Sequence, residues 1–498
     1  MYLNFIKKNS LLLSVLLVTC IASFTYFWNY WKPAQLFWDE NYYTASAQKY
    51  LDGVMFMEPH PPLGKMLIAL GEYVIHPNTK IDKSAFVKTD YISSIPTGFS
   101  FAGFRFFPAL FAMFTAPLFF LLLYQLSKRI GFSLLFSSLY LFENAFILQS
   151  RGAMVEGVQL FFIVLGLLYF VYLINQKQVR SIEYGVFGVI VGLALAIKVN
   201  SAILIPLYVV LFFYHNRREK KLLPVLFRFI IQSVIYAFSI GLIFFGIFYV
   251  HFIIGTKIVN GNYYKASEEY KIVLLKKETH LPQNFLIMIR DSLTYTADYE
   301  KGVPVYDYCK PGENGSLPIT WPFGNKSINY RWEKSGESVR YLYLQGNPLI
   351  WLAGIIGIIF AVVLIIGKFI FGLSIHNRKS FFLITVFLYL YVTYMYEVSQ
   401  VQRVLYLYHY FIPLIFSLLL FYLVIQYIIE QKKFLVGKLR LLFTLQGDYM
   451  VIGLLILFVI LVVFIYLFFS PFTYYLPLTT KEFMMRNWFS FWKLTPIY

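Results

Sequence analysis

The stretch "LLLSVLLVTCIASFTYFWNYWKPAQLFWDE", residues 11–40, decides the fold. Leu11–Tyr30 carries no charge, and soon after it the chain places two adjacent carboxylates, Asp39 and Glu40. About 20 apolar residues suffice to cross the hydrocarbon core of a bilayer as a helix. A carboxylate pair beside such a run is expensive to keep near lipid, so a functional reading is the default. Lys7 and Lys8 ahead of the run also resemble the start of a signal peptide. The apolar character continues to Trp31, a length that suits a retained span better than a cleaved segment.

The pattern recurs at Phe101–Leu126, Leu134–Leu148, Val155–Ile174, Tyr184–Ile197, Ala202–Tyr214, Leu226–Ile254, Leu349–Phe371, Phe381–Tyr396, Leu405–Ile429 and Tyr449–Phe469. With the first run this predicts about eleven spans. The 498-residue chain is 59% hydrophobic and 14% charged, with a mean hydropathy of +0.64. No soluble domain buries so much apolar surface, so the expected fold class is an all-α polytopic membrane protein, one transmembrane domain over residues 1–498.

The net charge of +18 would suggest nucleic acid in a soluble chain. Position explains it otherwise. With the N-terminus cytoplasmic, the inside loops hold Lys128 and Arg129, Lys177 and Arg180, "HNRREKK" at His215–Lys221, Arg378 and Lys379, and "QKKFLVGKLR" at Gln431–Arg440. The short outside loops carry one basic residue each, Arg151, Lys198 and Arg403. This asymmetry follows the positive-inside rule, and no nucleic-acid partner is expected. Two long segments, residues 31–100 and 255–345, then fall outside. Cys20 and Cys309 are not expected to pair, and neither a CxxC nor a zinc spacing is present. "NGS" at Asn314 and "NKS" at Asn325 read as chance matches to the glycosylation acceptor.

The outside charges run against the topogenic trend. Arg151, Lys198 and Arg403 stand at helix ends, and Arg105 lies near the start of the second span. Each alone reads as a snorkelling cation; together they suit a shared anionic ligand, a phosphate above all. Glu143 and Glu156 lie on the same side. Pairing with Arg151 or its neighbours accounts for Glu156, while the role of Glu143 stays open. There is no Walker motif or Gly-rich nucleotide loop. A sugar on a polyprenyl phosphate solves the supply of a donor outside the cytoplasm, because its phosphate arrives from within the bilayer. Such a donor needs cations for its departing phosphate and one base for an incoming hydroxyl. In-line attack then inverts the anomeric carbon. On this reading Asp39 is the base and Glu40 orients the acceptor or a neighbouring cation. Mutual repulsion of the two raises one pKa. "HPPLGK" at His60–Lys65 supplies a rigid corner. An interfacial helix follows whose start presents Lys65; His60 reads equally as a proton carrier or as a turn residue.

These residues resemble the protein O-mannosyltransferase family of the GT-C type. The match runs through Asp39–Glu40, "HPPLGK", "FRFFPALFA" with Arg105, "ENAFILQSRGAMVE" with Glu143, Arg151 and Glu156, "GLALAIKVNSAIL" with Lys198, "GNPLIWL" at Gly346–Leu352, and "RVLYLYHYFIPLIF" with Arg403 and His409. The resemblance implies a GT-C fold of eleven helices, a cytoplasmic N-terminus and amphipathic helices in the two long outer loops. It implies transfer of mannose from a lipid phosphate to Ser or Thr of a translocated protein, without a metal or other cofactor. By matching position, Asp39 is the base, Lys198 and Arg403 are phosphate ligands, and Arg105 lies near them or pairs with Glu40. His409 belongs to the Tyr-His-Tyr run. Glu143 and Glu156 replace the family's aspartates. Trp321, in "SLPITWPFG" at Ser316–Gly324, stacks on a sugar face or anchors at the interface. The second long segment has about 90 residues, too few for the β-trefoil insertion of eukaryotic members by ordinary domain sizes. That points to a bacterial-type member in the inner membrane.

Two rivals compete. Aminoarabinose transferases of lipid A share the first-loop carboxylate but carry Lys-Pro-Pro-Leu where this chain has "HPPLGK". A transporter predicts charges at mid-membrane and inverted repeats, and the sequence has no visible repeat. The sugar, the acceptor and the oligomeric state are not legible.

Overall fold

The computed structural model describes residues 2–307, 309–310, 312–438 and 446–497; the side chains of Lys7 and Lys8 and of the basic stretch Gln431–Arg440 lie outside the described residues. Among the described residues nine helices are long and apolar enough to cross a membrane. A tenth crossing forms if Ile130–Leu141 and Asn144–Ser150, bent by 60°, are one broken span; Ser181–Leu195 is a shorter apolar helix. Each of the eleven expected runs falls on one of these elements. The bent pair takes the run at Leu134–Leu148, and the 15-residue helix takes the run at Tyr184–Ile197. The protein is an integral multi-pass membrane protein, and its fold is mostly helical.

The chain forms two compact units. One comprises Tyr26–Thr115 and Gln149–Pro304. In it, Ser181–Leu195 packs against both Glu156–Ile174 and Leu222–Ile254. Its contact with Leu222–Ile254 is a face of small residues. A Cβ at Gly188 would lie 2.6 Å from the Tyr236 carbonyl oxygen and 2.8 Å from Ser239 Cβ. Close approach of backbones through small residues is how helices associate in lipid, where burial of apolar surface gives no drive. Gly188→Val is therefore expected to force the helices apart, at about 1–3 kcal/mol for overpacking. The readout is a lowered midpoint of thermal unfolding in detergent; an unchanged midpoint would show that the helices separate without loss.

The same unit holds the first long segment. Helix Glu40–Asp52 ends at Gly53, whose φ of +68° is the left-handed cap that glycine adopts without penalty. Val54 then bridges to Lys257, the chain turns at His60–Pro62, and helix Leu63–Ile75 follows. That helix buries Lys65, Ile68, Ala69 and Glu72 and leaves Leu70, Tyr73 and Val74 exposed. An apolar exposed face suits a helix lying in a membrane interface. Helices Glu268–Leu275 and Phe285–Gly302 come from the second long segment. Their Tyr270 and Met288 join Met55, Met57, Phe248 and Phe252 in one apolar cluster.

The other unit comprises Met1–Thr25, Ala116–Leu148 and Val305–Tyr498. The second long segment is thus divided after Pro304. Here Pro348–Phe369, Arg378–Ser399 and Phe411–Lys438 pack on one another. An element the all-helical expectation lacks is a three-stranded sheet. Strands Ile328–Ser335 and Ser338–Leu344 pair antiparallel and Pro477–Leu478 adds the third. The signal was present: aromatic and β-branched alternation flanks Gly336, whose φ of +62° serves a two-residue hairpin turn. The sheet seats Tyr341 and Tyr343 on Phe472, Phe483 and Trp492.

Candidate active site

The adjacent carboxylates have opposite surroundings. Glu40 is fully buried, and its oxygens accept from Arg105 Nε at 2.6 Å and Nη2 at 2.8 Å. The backbone N–H groups of Phe37 at 3.1 Å and Ala153 at 2.6 Å also donate to it. Arg105 is equally buried. Its remaining N–H groups donate to the carbonyls of Trp31 at 2.9 Å, Pro33 at 2.6 Å and Gln35 at 2.7 Å. Phe37 and Phe101 lie against the guanidinium, 4.7 and 4.0 Å from ring centroid to Cζ. All five donors of the guanidinium fork are engaged. Of the alternatives open for these two residues, the structure has the pair: Glu40 orients the neighbouring cation Arg105. Arg105 has no donor left for a lipid phosphate, and Glu40 has no oxygen turned to an acceptor. Together they brace residues 31–40 and seat Asp39. Arg105 also compensates the charge of Glu40. Arg151 works alike, donating to the carbonyls of Trp28 and Asn29, each at 2.7 Å.

Asp39 stands at the N-cap of Glu40–Asp52, partly exposed, and its side chain does not cap the helix. One turn on, the Tyr43 ring is buried. Burial, and then the nearby charges of Glu156, Asp39 and Glu58, hold its phenol well above the usual tyrosine range. The charges of the base candidate and of Glu156 therefore both bear on one phenol. Glu156 accepts from Lys198 Nζ at 2.5 Å and from Gln149 Nε2 at 3.0 Å. Glu156 thus pairs with Lys198. Lys65 pairs with Glu58, which also accepts from Ser46. Burial pushes the Lys65 ammonium down against the pull of Glu58, and Lys198 and Lys49 repel it. Two buried lysines, each with a carboxylate partner, thus lie in mutual electrostatic reach.

The "HPPLGK" corner explains this gathering. His60 is partly exposed in the bend before Pro61. The Leu63 N–H donates to the Ala196 carbonyl at 3.0 Å. A Cβ at Gly64 would lie 2.6 Å from Val155 Cγ1 and 3.3 Å from Ile197 Cγ2. Glycine alone lets the start of the helix seat on the residues that precede Glu156 and Lys198. Sequence reasoning passed over Tyr43 and Glu58. Both lie in reach of signals it used, Tyr43 at i+4 from Asp39 and Glu58 two residues before His60.

The other unit holds the remaining candidates. Glu143, at the break of the bent pair, is fully buried. It accepts from the N–H groups of Phe146 at 2.6 Å and Asn347 at 2.9 Å and from Trp351 Nε1 at 2.8 Å. It therefore ties the break to the start of Pro348–Phe369, the "GNPLIWL" match. Trp321 is 0% exposed, donates to Ser316 Oγ at 2.9 Å and stacks with His409 at 6.1 Å. A ring so enclosed neither stacks on a sugar nor anchors at the interface; it shapes the turn that carries His409. Arg403 lies in an extended segment, its backbone bridged to Val305.

This architecture is shared. The S. cerevisiae protein O-mannosyltransferase Pmt1-Pmt2 complex bound to the sugar donor has a chain that matches with a TM-score of 0.75 over 96% of this chain and 92% of that one, at 16% identity. The Archaeoglobus fulgidus oligosaccharyltransferase matches with a TM-score of 0.50 over 97% of this chain and 58% of that one, at 11% identity. The fold is that of GT-C membrane proteins. Residues 16–256 match the family described as dolichyl-phosphate-mannose-protein mannosyltransferase. Residues 308–492 match the C-terminal four-span region of protein-O-mannosyltransferase. The chain belongs to the protein O-mannosyltransferase family. Protein O-mannosyl-transferase 1 of Danio rerio is 32% identical over 166 residues, 33% of this chain and 22% of that protein. Dolichyl-phosphate-mannose--protein mannosyltransferase 3 of Saccharomyces cerevisiae is 30% identical over 154 residues, 30% of this chain and 19% of that protein. The chain thus spans about a fifth of the length of these curated relatives.

Proposed function

We propose that this protein is an inverting glycosyltransferase that moves mannose from a polyprenyl-phosphate donor to Ser or Thr hydroxyls of translocated polypeptides. The observation that supports the reading is that Asp39 opens helix Glu40–Asp52, which packs on Leu63–Ile75, whose start seats on the residues that precede Glu156 and Lys198. Asp39 takes the proton of the acceptor hydroxyl as that oxygen bonds to the anomeric carbon. The bond from that carbon to the phosphate oxygen breaks, and its electron pair leaves with the phosphate. Lys198 receives that phosphate, with Lys65 adding positive charge. His60 and Arg151 shape the site around them.

The donor phosphate rests at the outer leaflet, so residues 31–100 and 255–345 face the extracytoplasmic side, with residues 31–100 as the catalytic loop. A bacterial inner membrane fits a second long segment occupied by helices and one hairpin. The test supplies labelled polyprenyl-phosphate mannose to the purified protein with a Thr-containing peptide. Label on the peptide with inverted anomeric configuration is expected; a folded protein that transfers nothing would refute the reading. Lys198→Ala is expected to weaken donor binding by about tenfold or more, the scale of losing a charge-assisted contact. Titration with the donor lipid checks it, and unchanged affinity would remove Lys198 from the phosphate site.

A further inference from the structure

We infer that an anionic phospholipid of the surrounding bilayer seats within the stretch Val305–Tyr498, its acyl chain in an apolar cavity and its phosphate in an adjoining cationic one. The apolar cavity, about 310 Å³, is lined by Leu349, Leu352 and Ile355 of helix Pro348–Phe369, by Ile465 of helix Gln446–Tyr474, and by Trp488 and Phe489. Leu352, Trp488 and Phe489 are exposed, so the cavity opens among apolar side chains. The second cavity, about 560 Å³, is polar and lined by Glu313, Asn314, Lys326, Asn329, Lys493 and Thr495.

Three segments pass from one cavity to the other. Pro322–Gly324 line the apolar cavity and Asn325–Ser327 the polar one; Trp492 and Lys493 divide in the same way, as do Gln345 and Tyr343. Lys493 makes its turn with a left-handed backbone, φ +57°, which costs a residue with a side chain energy. The crossing is tied together. The Ser327 N–H donates to the Trp492 carbonyl at 3.0 Å, and Ser327 Oγ donates to Gln345 Oε1. A ligand that fills both cavities is apolar at one end and polar at the other. A peptide or a sugar would use the polar cavity and leave the apolar one unfilled. The lysines set the sign of the polar end. Burial pushes the Lys326 ammonium down, Glu313 pulls it up and Lys493 pushes it down again, so the two ammonium groups lie in electrostatic reach. Glu313 already accepts from the Gly315 N–H at 2.8 Å and faces Lys310 at 3.9 Å. Basic pockets beside membrane helices take anionic headgroups, and the aromatic rim matches the interfacial belt of membrane proteins. The bilayer supplies phospholipid in large excess over any polyprenyl phosphate, so mass action favours it as the occupant.

The test uses the full chain, purified in detergent, stripped of lipid and titrated with phosphatidylglycerol or with phosphatidylcholine of the same chains. Native mass spectrometry counts the bound lipid. Phosphatidylglycerol is expected to bind several-fold more tightly than phosphatidylcholine. Lys326→Gln and Lys493→Gln are each expected to weaken phosphatidylglycerol about fivefold, the worth of a lysine near an anionic lipid surface, and to leave phosphatidylcholine unchanged. Leu352→Trp, which fills the apolar cavity, is expected to weaken both lipids. Unchanged phosphatidylglycerol binding in both lysine variants, or unchanged binding of both lipids in Leu352→Trp, would overturn the assignment. Equal binding of the two lipids to the wild-type chain would overturn it as well. Displacement of the phospholipid by an equimolar amount of polyprenyl phosphate would make this a groove for the donor lipid and overturn it too.

Discussion

Asp39→Asn is expected to fold, to bind the donor lipid as the wild-type chain does, and to lose transfer by about 10²–10⁴-fold, the usual contribution of a positioned base. The substitution spares the fold for a local reason. Asparagine matches aspartate in size and is accepted equally at a helix N-cap, where residue 39 stands. An amide oxygen keeps the shape but cannot take the acceptor's proton at neutral pH. Single-turnover transfer measured at saturating donor separates this loss from binding. Wild-type turnover in the variant would exclude Asp39 from proton transfer and turn attention to Glu58, a second acid of the first long segment that bears on Tyr43.

Arg105→Ala is expected to cost about 3–5 kcal/mol, because it leaves the buried Glu40 carboxylate uncompensated. Arg105→Lys is expected to recover little of that, since one ammonium cannot replace a fork that serves Glu40 and three backbone carbonyls. Removing both charges with Arg105→Met and Glu40→Leu is expected to restore part of the stability, as paired apolar replacements of buried ions often do. Thermal unfolding in detergent across this set checks the assignment. Were Arg105 a phosphate ligand, the outcome would invert: stability would hold in Arg105→Ala and donor affinity would fall.

The spans were legible because their cause is local. Lipid leaves a spanning backbone no water to bond with, so each crossing must be a helix of apolar residues, and a run such as Leu11–Tyr30 declares itself by length. The bent pair and the 15-residue helix depart from that rule only where protein neighbours cover them, through Glu143 in one case and Gly188 in the other. The hairpin around Gly336 was readable by the same local means and was missed among so many helical signals.

The division of labour among the charges was not readable from the chain alone. Asp39 and Glu40 are neighbours of the same type, yet helical rotation turns one toward Arg105, 65 residues away, and leaves the other partly open. Arg105 and Lys198 carry the same sign on the same pattern. One is spent on backbone carbonyls, and the other is paired with Glu156 across 42 residues. Hydropathy and charge sum along a segment and survive without a fold. Which carboxylate meets which cation depends on close contact between distant segments, and glycines such as Gly64 set that contact at a resolution of one methyl group.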